Sequence, residues 1–317
     1  MPFAEQYRIC ILPRSSGIYL LLLLVLFLLT HSTCFAAEGG SGAYWPGFRN
    51  FVAGIVPPKP GLYLRNDIVA YSATAPRVVL NGFPVENVSA DIIADIIEPL
   101  YVLPHKLFGA NHAIVITQPL VWAELSGGII GTDLEPSGSR FAPGDTIFSP
   151  LYLGWHNGNT HFNSNIAIFI PTGDYDITRV SNTTRNYWAI DPEFGFTYLN
   201  PKTGWDLSGV LGCTFSLENH ATNYRSGNIL HLDYAIGRTL KNNVKAGIIG
   251  YAQVQVSPNS GEGAIFGSFK SRVYGIGPAV QWRAGIDKFL MVRYLHEFSA
   301  QNNLKGNQLA LTFKMAF

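Results

Sequence analysis

Asp191 with Glu193, His231 with Asp233, and Arg293 with Glu297 stand two or four residues apart. In an extended strand such spacing puts both members of a pair on one face. Tyr251, Gln253, Gln255 and Lys314 fall on the same kind of alternation. Acids, bases and amides sharing an interior face can line the path of a solute. They can also pair with one another and fill a narrow interior, a role in stability alone. The residues Asp191, Glu193, His231, Asp233, Tyr251, Arg293, Glu297 and Lys314 are the candidates for solute contact.

Other chemistries find less support. His296 beside Ser299 could serve an outer-membrane lipid hydrolase, but the two sit in one strand-to-loop segment, without a nucleophile motif. An interfacial histidine with its ring body in lipid is the simpler reading. His105 and His112, and His156 and His161, flank short turns with no carboxylate at ligand spacing, so no metal site is expected. Asp174 and Asp176 read as solvated loop acids, and the Asn182-Thr183-Thr184 sequon has no role in a bacterial envelope. No glycine-rich phosphate loop opens a helix, so no cofactor is expected. A net charge of +1 without a basic cluster gives no reason for a nucleic-acid partner.

The elements that must position these residues are strands. About twelve strand-like segments follow residue 59, with little helical periodicity. They span roughly 60–71, 87–103, 112–130, 146–156, 160–171, 186–199, 204–218, 228–239, 243–257, 267–283, 287–298 and 306–317. Leu309, Leu311, Phe313, Met315 and Phe317 oppose Gln308, Ala310, Thr312, Lys314 and Ala316. Leu230, Leu232, Tyr234 and Ile236 oppose His231, Asp233, Ala235 and Gly237. A lipid-facing and a lumen-facing set with period two is the signature of a transmembrane barrel. Tyrosines and tryptophans near strand ends, such as Trp155, Trp205 and Trp282, suit the headgroup level. Links at 72–86, 131–145, 172–185, 219–227, 258–266 and 299–305 read as outer loops, and those between them as short periplasmic turns.

Targeting agrees. Arg8 and Arg14 precede the apolar run Ile18–Leu29 and a small-residue zone ending Phe35-Ala36-Ala37. This is the pattern of a signal peptide, with cleavage expected after Ala36 or, second, Ala37. A lipoprotein reading through Cys34 lacks the aliphatic residue a lipobox wants. Only Cys213 would survive cleavage, which leaves no internal disulfide. Charged residues are 14% of the chain, against about 25% in soluble domains, and no later stretch suits a membrane helix. A closed barrel is the remaining way to satisfy every backbone group in lipid.

Several stretches resemble a known family. They are Pro60-Gly61-Leu62-Tyr63, Leu153-Gly154-Trp155-His156, Pro171-Thr172-Gly173-Asp174-Tyr175 and Asn186-Tyr187-Trp188 with Asp191-Pro192. Glu218-Asn219, Tyr224-Arg225-Ser226-Gly227 and Tyr294-Leu295-His296-Glu297-Phe298 complete the set. Together, in order, they resemble the meta-pathway of phenol degradation family of outer-membrane proteins. The resemblance implies passage of hydrophobic or aromatic molecules and supplies no catalytic motif.

The expectation is therefore an all-β protein, a transmembrane antiparallel up-and-down β-barrel of about twelve strands in the outer membrane of a Gram-negative bacterium. Residues 1–36 would be the signal peptide, 37–59 a periplasmic or plug-like segment, and 60–317 the barrel. The expected role is passive passage of small hydrophobic or aromatic compounds. The alternatives are a structural or surface-exposed barrel with a plugged lumen and, third, the lipid hydrolase. Expected partners are outer-membrane lipid, such solutes, and the barrel assembly machinery through Phe317.

Overall fold

The computed structural model describes residues 41–265, 270–285 and 287–317. The expected signal peptide lies outside them. Thirteen strands follow one another: β1 (Gly61–Leu80), β2 (Phe83–Leu107), β3 (Ala110–Ile129), β4 (Ser137–Pro143), β5 (Thr146–Asn157), β6 (Thr160–Ile170), β7 (Ala189–Leu199), β8 (Trp205–Ser216), β9 (Ile229–Thr239), β10 (Val244–Gln255), β11 (Arg272–Arg283), β12 (Lys288–Gln301) and β13 (Lys305–Ala316).

Apart from β4 and β5, which both pair with β3, consecutive strands pair antiparallel, and β1 pairs with β13, from Tyr63 opposite Ala316 to Thr74 opposite Lys305. That last ladder closes the cylinder and removes its edges. β4 lies against Leu120–Ser126 of β3 and β5 against Asn111–Thr117, so the two share one place in the wall. The result is a closed barrel of twelve strands.

Alternation sets the two faces. Along β7, Ala189, Asp191, Glu193 and Thr197 are buried, while Ile190, Phe194 and Phe196 are exposed. Leu207, Leu211, Leu232, Ile236, Ile248, Leu309 and Leu311 are exposed in the same way on other strands. Large apolar side chains out and polar side chains in is the inverse of a soluble sandwich, because the outer solvent is lipid.

The loops differ from the sequence expectation at three places. One is β4, which lies inside the supposed outer loop 131–145 and pairs there with the end of β3. β1 and β2 run on through the supposed loop 72–86 to a tight turn at Asn81-Gly82, both residues with positive φ (48° and 80°). Asn-Gly is the pair that such a primed hairpin turn selects. Likewise β12 reaches Gln301, leaving only Asn302–Leu304 before β13. The β1 and β2 strands, of 20 and 25 residues, exceed the roughly 9–11 needed to span. Their excess forms an apolar cluster of Ala73, Ala75, Val78, Leu80, Val85 and Val88 with Leu304. Burial against that last loop explains why a segment interrupted by Pro76 and Pro84 stays extended.

Candidate functional site

A twelve-stranded barrel is wider than the eight-stranded kind that its own side chains nearly fill. Here the lumen receives the segment preceding β1. Tyr44, Phe48, Phe51 and Val56 are all buried against the inner wall. Phe51 packs with Ile249, Met291 and Leu295, and Val56 with Val102, Val115 and Tyr152.

Polar contacts hold the segment from two sides. Asp233 on β9 accepts from the Tyr44 hydroxyl at 2.7 Å and from the backbone N–H groups of Arg49 at 2.9 Å and Gly47 at 3.1 Å. Arg49 reaches Glu193 on β7 at 3.2 Å. Across the lumen, Arg65 on β1 donates to the carbonyl of Phe48 at 2.7 Å and lies over its ring. Amides of the segment thus face an acidic wall, and a carbonyl faces a basic one. Further along, Gly54 donates to Thr197 at 2.8 Å, and the Ala53 carbonyl accepts from Asn163 at 2.6 Å.

Gly54 is required by the closeness of that approach: a Cβ there would lie 2.4 Å from the Phe196 carbonyl carbon. Gly54→Ala is expected to lift the segment off β7. Trypsin should then cleave the refolded protein at Arg49, a bond that stays protected in the parent. Equal protection in both would show that the contact is dispensable.

Every candidate named from the sequence faces inward. His231 stacks on Tyr44, with ring centroids 3.7 Å apart, and its Nε2 lies 2.9 Å from Asp191. Thr214 also donates to Asp191, and Asn165 to Glu193. Glu297 accepts from Tyr71 at 2.9 Å, from the Gly306 amide at 2.6 Å, and from Tyr251. Arg293 donates to Asp67 at 2.6 Å and to Thr312. Lys314 sits on the same inner face, in register with Arg65. Glu98, left unassigned by the sequence, is buried and accepts from Thr117.

The candidates do not form one site. Asp191, Glu193, His231 and Asp233 make an acidic group on β7 and β9. Arg293 and Lys314 belong with Arg65 and Asp67 near the barrel closure, and Glu297 with two tyrosines between them. Asp191, Glu193 and His231 bring potential ligand atoms within 4.8 Å of one another, a donor set able to hold a cation that the sequence did not suggest. In this arrangement their atoms are engaged by Thr214, Asn165, Arg49 and each other.

The sequence missed Arg49, Asp67 and Lys245, the last of which pairs with the buried Asp206. Strand alternation would have placed Asp67, Asp206 and Lys245 inside, because each follows the parity of its neighbours. The aromatic stretch from Tyr44 to Phe48 belongs to the segment read as periplasmic or plug-like, but nothing in its pattern marked Arg49 as an anchor.

Outside the lumen, His296 Nδ1 meets Asn307 Oδ1 at 2.9 Å, and Tyr294 donates to the same oxygen. His156 and His161 face each other, Nδ1 to Nδ1, at 2.9 Å.

Above the segment the lumen keeps a cavity of about 210 Å³. Its floor is Tyr44, Trp45, Phe48 and Arg49; one wall is apolar, with Ile92, Ile96, Val121, Ala123, Ile147 and Phe169. Residues 182–185 of the loop after β6 border it.

A family profile described as "Putative MetA-pathway of phenol degradation" matches residues 72–313. The chain belongs to that family. The match begins inside β1, so the lumen segment lies ahead of it. An outer-membrane channel of Pseudomonas putida F1 is similar in structure, with a TM-score of 0.64 at 14% identity, over 83% of this chain and 100% of that one. The translocator domain of the autotransporter NalP from Neisseria meningitidis follows, with a TM-score of 0.46 at 10% identity, over 83% and 91%. No curated protein matches the sequence. Fold and family together make this a Gram-negative outer-membrane β-barrel.

Proposed function

We propose that the protein is a passive channel for small hydrophobic or aromatic solutes, with the segment 41–58 as its plug. The observation that carries this reading is the apolar-walled cavity above the segment. An engineered apolar cavity of about 150 Å³ suffices for benzene, so this space suits one small ring. A solute would partition there by burying its apolar surface, roughly 25 cal/mol for each Å². Onward passage would require the segment to yield, since its aromatic residues form the cavity floor. The Pseudomonas putida relative is itself called a channel, and the family description concerns phenol degradation.

The test is uptake by porin-deficient Gram-negative cells with and without the protein, comparing a labelled small aromatic with a sugar of similar size. Faster aromatic uptake with sugar unchanged is expected, and deletion of residues 38–57 should admit both. Equal uptake of the two by the intact protein would indicate a general pore.

The second reading is a structural barrel whose lumen is permanently filled. The many contacts between the segment and the wall favour it. Uptake of neither solute, from protein shown to be folded, would select it.

A further inference from the structure

The cavity has two unlike sides. Opposite the apolar wall of β2, β3, β5 and β6 lies a polar patch from β10, β12, β13 and the loop before β13. There Gln253, Asn303 and Gln308 are buried at 1%, 5% and 5% exposure and line the cavity. Both amide atoms of Gln253, the Nδ2 of Asn303 and the Oε1 of Gln308 have no hydrogen-bond partner among the described residues. A buried polar atom without a partner keeps its desolvation cost with nothing to offset it. A patch of such atoms on a cavity wall therefore favours a molecule that both donates and accepts.

Charge narrows the class further. The charged residues lining the cavity are Glu98, Asp145, Glu193 and Glu297 against Arg49 and Arg185. Arg49 is already paired with Glu193, and Arg185 donates to Ser41. Acids outnumber bases, so an anion meets net repulsion in a poorly screened space.

We propose that this cavity selects neutral rings bearing a hydroxyl group, over bare hydrocarbons and over ring carboxylates. The ring lies on Ile92, Val121 and Phe169, and the hydroxyl exchanges hydrogen bonds with Gln253 and Gln308. The inference rests on the channel reading for its physiological meaning but concerns binding alone, so the two can fail separately.

The experiment is calorimetric titration of the refolded protein in detergent with toluene, benzyl alcohol and benzoate. Benzyl alcohol should bind at least tenfold more tightly than either other probe. The paired variant Gln253→Leu, Gln308→Leu should lose that preference while keeping toluene affinity, with heat-modified gel migration verifying the barrel. Benzoate binding as tight as benzyl alcohol in the parent would overturn the proposal, even if the variant failed to fold. So would a folded variant that retains the preference. Ranked binding without cellular uptake would leave the inference standing and remove the channel reading. Uptake without ranking would do the reverse.

Discussion

Asp233→Ala should release the N-terminal segment from the lumen, turning a nearly closed barrel into an open one. Asp233 gathers three donors of the segment, the Tyr44 hydroxyl and the backbone N–H groups of Gly47 and Arg49. Hydrogen bonds to a charged acceptor contribute roughly 1.5–3 kcal/mol each, and they are not additive. A combined loss on the order of 3–4 kcal/mol would lower the docked-to-released ratio several-hundredfold, at about 1.4 kcal/mol for each factor of ten. The ladders that close the barrel do not involve this carboxylate, so the fold should survive. Single-channel recording in planar bilayers should show conductance rising severalfold, and trypsin should cut at Arg49. Unchanged conductance with Arg49 still protected would mean that the aromatic packing of Phe48 and Phe51 alone holds the segment. Asp233→Asn, which keeps one acceptor oxygen, should fall between parent and alanine variant.

Asp67→Ala should damage the barrel itself rather than its plug. Asp67 is fully buried and receives Arg65 at 2.6 Å and Arg293 at 2.6 Å, with Thr312 as a third donor. Removing it leaves two guanidinium groups facing each other, with Lys314 on the same inner surface. Breaking a buried ion pair by removing one partner costs roughly 3–5 kcal/mol, because the surviving charge keeps its desolvation penalty. The site also spans β1, β13 and β12, beside the β1–β13 ladder that closes the cylinder. A large drop in the urea midpoint of unfolding from lipid vesicles is the expected result. Arg293→Met should cost clearly less, since Asp67 would keep Arg65. If the two variants were equally stable, the cluster would not be the closure lock that its geometry describes.

How far the sequence could reach is plain from these two residues. Asp67 shares the inner parity of Arg65 and Val69, so alternation alone would have drawn it into the lumen beside the residues that were named. Its partners could not be drawn, because Arg293 and Thr312 lie more than 220 positions away and meet it only when the barrel closes. Asp233 was placed inside by the same alternation. Its role in gripping the segment was not legible, since residues 41–58 carry no period that would say where they lie.

The loops show the same division. Asn81-Gly82 is a hairpin signal in plain view, yet flanks holding Pro76 and Pro84 read as loop. The burial of Val78 and Val85 with Leu304, added to the β1–β2 ladder, keeps those strands extended.

The sequence by itself determined the solvent on each side of the wall. Period-two alternation, low charge and the absence of a spanning apolar helix left one architecture, because backbone groups in lipid must pair in a closed ladder. Tertiary structure alone decided what fills the barrel. Filling depends on the lumen's width and on which distant acids and bases face one another across it, quantities that exist only once the first and last strands have joined.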